Sequence, residues 1–174
     1  MPKQYLDYPM SGNLGDLKKG CQAPLICWDI SSMHFSRLAN RSKKRLELQA
    51  LTDYQAHSQW AIDLQQLLDA PYQALVLTDS SIAIQWVNQG FTQMTGYNKG
   101  EVMGRSPKML QGANTSRRSL KRLRKHLKGK RSFSEELINY RKNGEQYLCQ
   151  VEIHPLFNSA NELCHYLALE NEVK

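Results

Sequence analysis

Apolar spacing changes character at Pro71. From Ser31 to Asp69 there is no proline or glycine. In that stretch Phe35, Leu38, Leu46, Leu51 and Tyr54, then Trp60, Leu64, Leu67 and Leu68, recur at helical intervals. Two helices, or one broken near Asp53, are expected across 31–70, ending at Asp69-Ala70-Pro71 because a residue before proline disfavours the α region. Beyond Pro71 the apolar runs are short and bounded by turn residues. Ala74–Asp79 and Ile82–Asn88 read as a strand pair turned at Asp79-Ser80-Ser81. Phe91–Gly96 and Glu101–Gly104 are short helical pieces stopped by glycine. Thr115 or Ser116 can cap a helix over Arg117–Lys128 with Gly129 at its end, leaving Leu120, Leu123 and Leu127 as a narrow apolar stripe. Three strands follow, at about 132–141, 146–156 and 162–170. They are joined by the turns Lys142-Asn143-Gly144 and Asn158-Ser159-Ala160-Asn161. Five antiparallel strands interrupted by short helices make an α+β domain over 71–172, preceded by a helical extension. Residues 1–30 carry Pro2, Pro9, Gly12, Gly15, Gly20 and Pro24 and are expected to be irregular, apart from an apolar run at Pro24–Trp28 that could dock as a strand or clip.

Composition narrows the class. The 174 residues hold 41% hydrophobic and 22% charged side chains, enough for one domain with an extension. No apolar run approaches the ~20 residues of a membrane span. The first residues, Met1-Pro2-Lys3-Gln4-Tyr5, lack the apolar core of a signal peptide, so a cytoplasmic protein is expected. Cys21, Cys27, Cys149 and Cys164 show neither C-x-x-C spacing nor a framework with histidine, which argues against structural zinc. No catalytic triad, metal cluster or phosphate-cradling glycine loop stands out, and an enzyme is not expected.

The stretch that gives the chain its functional character is Gly104-Arg105-Ser106-Pro107-Lys108-Met109-Leu110-Gln111-Gly112. With Trp86-Val87-Asn88, Glu136–Gly144 and Ile153-His154-Pro155-Leu156, it resembles the PAS domain family. Within that family it is most similar to the LOV branch, whose flavin-site signature reads G-x-N-C-R-F-L-Q-G. The resemblance spans roughly 71–172 and implies the PAS fold: a five-stranded antiparallel sheet with short helices on one face, acting as a sensory cup. It also implies site residues. Lys108 and Arg124 stand at the positions of two arginines that bind the flavin phosphate, although lysine offers a point charge where arginine offers a fork. Gln111 matches the signature's glutamine. Asn139 matches the first of two strand asparagines that bind the flavin's pyrimidine side, where an amide supplies both donor and acceptor. Four positions depart: Ser106 replaces an asparagine, Pro107 the photoreactive cysteine, Cys149 the second strand asparagine, and Glu170 the last-strand glutamine beside flavin N5. Proline carries no nucleophile, so thiol-adduct photochemistry is not expected at Pro107, and Cys149 is not placed to substitute for it. Glu170 could hydrogen-bond N5 if burial kept it protonated, or it could be a solvent-facing strand glutamate. The cup therefore holds FMN or FAD without an adduct, as a redox or light sensor, or it is filled by its own side chains. Haem is a further PAS cofactor, bound in several members by a histidine on the long helix. His126 is the histidine at hand, and the expectation runs against it.

Charge is concentrated. Residues 117–131 contain nine Lys or Arg and no acid, so removing them takes the net charge from +7 to −2. A signalling protein with an acidic surface would suit such a run, as would an anionic membrane, and a merely solvated helix face would carry the same charges. Specific nucleic-acid readout is unsupported, because the run has no interleaved aromatics and no DNA-reading motif. In the PAS family a preceding helix often mediates dimerisation, and a homodimer through the amino-terminal helices is expected on that resemblance. The same apolar stripe would equally serve a helix that only covers its own sheet. Two functions follow: a flavin-binding sensory domain signalling through its leading helices or a partner, or a cofactor-free PAS interaction module.

Overall fold

A computed structural model describes residues 25–173. The expectation of an irregular segment falls mostly on 1–24, outside those residues. Helix α1 runs Leu25–Ser58, so the apolar run after Pro24 enters a helix and is neither strand nor clip, and the extension begins before Ser31. Asp53 does not break it. The break comes at Gln59, with φ 53, and a five-residue α2, Leu64–Leu68, is capped by Asp63. Two units are distinguished, one ending at Asn40 and one starting at Arg41. All that follows concerns the second.

The second unit is a five-stranded antiparallel sheet of order β2-β1-β5-β4-β3. Its strands are β1 (Ala74–Asp79), β2 (Ile84–Val87), β3 (Phe133–Tyr140), β4 (Gln146–Phe157) and β5 (Leu163–Val173). Between β2 and β3 lie α3 (Gln89–Thr95), α4 (Lys99–Val102), a 3-10 turn at Pro107–Leu110 and α5 (Arg117–Gly129). Register fixes which side chains meet. Glu170 of β5 lies between Ala74 of β1 and Val151 of β4, and Asn139 of β3 faces Tyr147 of β4. Because strand side chains alternate, one face collects Val76, Leu137, Tyr147, Cys149, Val151 and Ala168 under the short helices.

The other face collects Leu75, Leu77, Trp86, Leu156, Leu167 and Leu169 under Leu51, Trp60, Leu64 and Leu68. Leu51 is fully buried there, which contributes about 2 kcal/mol of apolar burial. Covering the sheet's outer face is thus one role of α1 from Leu48 to Tyr54. Polar links fix it: Tyr54 donates to the Gln85 carbonyl at 3.0 Å and Trp60 Nε1 meets His165 Nδ1 at 3.1 Å.

Helix ends follow local chemistry. Asn88 caps α3 by accepting from Phe91 N–H, and Gly96 closes it with φ 76. Ser116, of the two candidate caps, accepts from Ser119 N–H to start α5. Gly129 stays helical and Lys130 takes the left-handed position, with φ 50.

Candidate functional site

Between the helices and the sheet's inner face is a cavity of about 340 Å³, within the range of small-molecule sites. The sheet supplies its floor: Val76 and Thr78 from β1, Leu137 and Asn139 from β3, Val151 and Ile153 from β4, Tyr166, Ala168 and Glu170 from β5. The 3-10 turn supplies one wall with Pro107, Lys108 and Leu110, followed by Gln111. Proline suits the first position of that turn because its missing N–H would be unpaired there in any case. Ser106 caps the turn, its hydroxyl accepting from Lys108 N–H. From α5, Leu120, Leu123 and Leu127 close the roof, with Arg124 and Lys128 beside them.

Seven of the eight residues singled out from sequence share this cavity: Ser106, Pro107, Lys108, Gln111, Arg124, Asn139 and Glu170. Cys149 does not. It pairs with Leu137 and Glu172 in the sheet, is fully buried in the core beside Tyr147 and Val151, and its short side chain stays within that packed layer. Burial, then the nearby Glu170 and Glu172 charges, push its thiol pKa up, so it is held as an unreactive thiol. Cys164 is the other described free cysteine, and it too lies outside the cavity lining. His126 stacks on Phe133 with ring centroids 4.9 Å apart and is not a lining residue, which leaves that helix histidine without access to the cavity.

The cavity's polarity is uneven, and part of it is unspent. Glu170 is 5% exposed, which rules out a solvent-facing glutamate, and its Oε2 has no hydrogen-bond partner. Burial raises its pKa to about 7. Thr78 Oγ1, also lining the cavity, is buried and unpaired among the described residues. The Tyr147 hydroxyl lies beside Asn139 but lacks a partner of hydrogen-bonding geometry. Orphaned buried polar atoms each cost roughly 1–3 kcal/mol, and the two that line the hollow, on Glu170 and Thr78, point to a ligand that satisfies them. On the helix side Lys108, Arg124 and Lys128 bring positive charge to the rim, all three exposed. Such a hollow suits a planar amphipathic ligand with an amide-like edge at Asn139 and Glu170 and an anionic tail at the cations.

Three polar lining residues, Thr78, Lys128 and Tyr166, were not singled out from sequence as site residues. Thr78 had a signal, since it is the polar member of the inward alternation Ala74, Val76, Thr78. Lys128 follows from Arg124 at helical i+4 spacing. Tyr166 had none, since its hydroxyl donates to the Leu127 carbonyl at 3.1 Å, a contact between elements far apart in sequence. Arg141 was missed as well. It packs 4.6 Å over the Tyr147 ring, bonds the Met94 carbonyl and meets Glu172 at 2.7 Å, closing one end of the inner layer.

Among the described residues no group of His, Cys, Asp and Glu could hold a metal ion, and no helix is long and apolar enough to cross a membrane.

Comparison with known proteins agrees with this geometry. A family profile described as PAS domain matches residues 73–173. The nitrogen fixation regulatory protein of Klebsiella oxytoca is 31% identical over 100 residues, 58% of this chain and 20% of that protein. The blue-light-activated histidine kinase of Rhizobium johnstonii is 32% identical over 95 residues, 53% of this chain and 28% of that protein. The chain thus spans between a fifth and three tenths of these two relatives' length. The solved LOV domain of the Erythrobacter litoralis blue-light activated histidine kinase superposes with TM-score 0.56 at 28% identity, covering 60% of this chain and 97% of that one.

Proposed function

The chain belongs to the PAS domain family, and from that premise we propose that it is a sensory module whose cavity takes a flavin, FMN or FAD, and reports the ligand's state to a partner protein. The observation that carries the reading is the pair of unpaired buried polar atoms, Glu170 Oε2 and Thr78 Oγ1, facing an apolar hollow with cations at its rim. A Light-Oxygen-Voltage domain studied with a flavin analogue, 32% identical to this chain with TM-score 0.60, supports the same ligand class. A bound flavin would supply visible absorption and reversible electron uptake.

The chain's own residues set how such a ligand is held. Asn139 and Gln111 offer donor and acceptor to an amide-like ring edge. Glu170 gives one hydrogen-bond donor when protonated and acceptors only when ionised, so its protonation decides which ring atoms it can satisfy. Lys108 and Arg124 neutralise a phosphate, Arg124 with a fork and Lys108 with a point charge. Leu120, Leu123 and Leu127 exclude water from the ring. Pro107 presents no nucleophile to the cavity, so the module works without a thiol bond to its ligand.

The module acts by binding, not catalysis, and works in the cytoplasm. Its output runs through α1, whose Leu46 is 67% exposed and is available for a second copy or a signalling partner.

Protein purified from cells supplied with riboflavin tests this. A vibronically structured blue absorption band retained through gel filtration, and quenching of FMN fluorescence by apoprotein, are the expected results. A colourless preparation that leaves FMN fluorescence unchanged rejects the flavin and leaves a cofactor-free interaction module.

A further inference from the structure

Helix α5 has two sides with different fates. Leu120, Leu123 and Leu127 are turned into the cavity roof, which fixes the opposite side outward. At 3.6 residues per turn the cations Arg117, Arg118, Lys121, Arg124, Lys125 and Lys128 span about 120° of arc. Arg124, at the edge nearest the stripe, and Lys128 also line the cavity, while Arg117, Arg118, Lys121 and Lys125 lie outside its lining. The row is about 17 Å long at 1.5 Å per residue. All six side chains are exposed. Of the α5 cations only Arg122 has an ion-pair partner among the described residues, Glu135. The first turn carries Arg117 and Arg118 and no acid, although the positive end of the helix dipole disfavours cations there. The arrangement costs the helix stability and concentrates unneutralised charge.

What covers such a face is narrowed by what it lacks. Stable protein interfaces need apolar or aromatic anchors and are depleted in lysine. Among the described residues the exposed large hydrophobics are Leu38, Leu46, Met103, Leu148 and Val173, none of them on α5. A membrane-surface helix turns its apolar side to the lipid, but here that side is buried in the domain. Single-stranded nucleic acid is held on aromatic platforms, and α5 has none; His126, on the far side, is stacked on Phe133. A duplex phosphate backbone needs only a fixed array of cations. A helix about 10–12 Å across, cationic over a wide arc, matches the roughly 12 Å major groove of B-form DNA, whereas the deep groove of duplex RNA admits no helix.

We propose that the outward face of α5 is a docking surface for the phosphate backbone of double-stranded DNA, bound without sequence preference. Arg118, Lys121 and Lys125 belong to this face and not to the cavity lining, so the surface is separable from the ligand site.

Fluorescence anisotropy of the full chain with two short DNA duplexes of unrelated sequence tests the proposal. Both are expected to bind alike. With about four phosphates neutralised by Arg117, Arg118, Lys121 and Lys125, the slope of log K against log salt is expected near about −3.6, a loss of roughly 150-fold between about 50 and 200 mM. The double variant R118E/K121E places acids near the helix N-terminus, where the dipole favours them. Its melting temperature is expected not to fall, while its affinity falls more than about tenfold and the slope shrinks by about two. Salt-independent binding, affinity unchanged by the double variant, strong preference for one sequence, or equal or tighter binding to duplex RNA, phosphatidylserine vesicles or polyglutamate would each overturn it.

Discussion

Asn88 donates its side-chain amide to Glu47 across 2.7 Å, joining the helical extension to the cap of α3. The same Asn88 accepts from Phe91 N–H and from Leu75 N–H at 3.0 Å, so one buried side chain ties three elements together. Glu47 also accepts from the Tyr72 hydroxyl at 2.8 Å. Glu47→Ala strands the Asn88 donor in a buried setting, and the expected loss is about 2 kcal/mol in urea unfolding. Glu47→Gln retains an acceptor and is expected to cost about half as much. Amide exchange in α1 near residue 47 should quicken more in the alanine variant than in the glutamine one. Equal stability of the alanine variant and the parent would show that this junction does not hold the helix.

Two glycines separate a rigid obstacle from a movable one. A Cβ at Gly90 would stand 1.8 Å from the Gln73 carbonyl oxygen, and that backbone is held by Gln73 N–H donating to the Glu170 carbonyl at 3.0 Å. At Gly112 the obstacle is the Tyr140 ring, 2.3 Å away, a side chain that can turn if it gives up its bond from Asn114 N–H. Gly112→Ala is expected to cost about 1–3 kcal/mol and Gly90→Ala more than about 3 kcal/mol. Chemical denaturation of both variants checks the order. A Gly90→Ala protein as stable as the parent would mean that β1 and α3 separate more easily than their packing implies.

Period and punctuation made most of this fold legible. The family resemblance, not alternation, brought Asn139, Glu170 and Arg124 to the site, with Glu170 left open between a buried and a solvent-facing position, while the Leu120, Leu123, Leu127 stripe oriented α5. Local propensity misjudged two places. The apolar run after Pro24 enters α1 from Leu25 in place of a strand or clip, and Asp53 sits within that helix without interrupting it. The site was legible as far as its residues could be placed by matching positions along the chain. Cys149 shows the limit: its strand position faces inward, but whether an inward residue reaches the hollow depends on side-chain length and on neighbours from other strands. The Glu47–Asn88 and Tyr166–Leu127 contacts join residues 41 and 39 apart and carry no short-range signal.

Glu170 gives stability a pH dependence of definite sign. Burial raises its folded pKa from 4.5 to about 7. Between those values the unfolded chain releases a proton that the folded one keeps. Its contribution is therefore full below about pH 4.5, declines up to pH 7, and is flat beyond, a span on the order of 3 kcal/mol. His165 works in the opposite direction, because burial lowers its pKa from 6.5 and folding resists its protonation on the acid side. Glu170→Gln isolates the glutamate: the variant should be more stable than the parent at pH 8, and the difference should shrink by pH 5. Urea titrations of both proteins at the two pH values measure it. A difference independent of pH would place the ionisation of Glu170 outside this window.

Arg124 tests how the cavity holds a ligand's tail. It lines the cavity beside Lys108 and Lys128, where charge-assisted bonds to phosphate are worth roughly 1.5–3 kcal/mol. Riboflavin and FMN share a ring system and differ by the phosphate, so their affinities separate ring contacts from tail contacts. Arg124→Ala is expected to weaken FMN by about 10- to 100-fold and to leave riboflavin nearly unchanged, as read by flavin fluorescence quenching. Asn139→Ala is expected to weaken both alike, because Asn139 addresses the ring. Raising salt should erode the FMN advantage in the parent and much less in the Arg124 variant, since screening acts on charges at the exposed rim. If Arg124→Ala weakened riboflavin as much as FMN, the cations would be shaping the cavity and not reading a phosphate, and the orientation of ligand implied by the rim would be wrong.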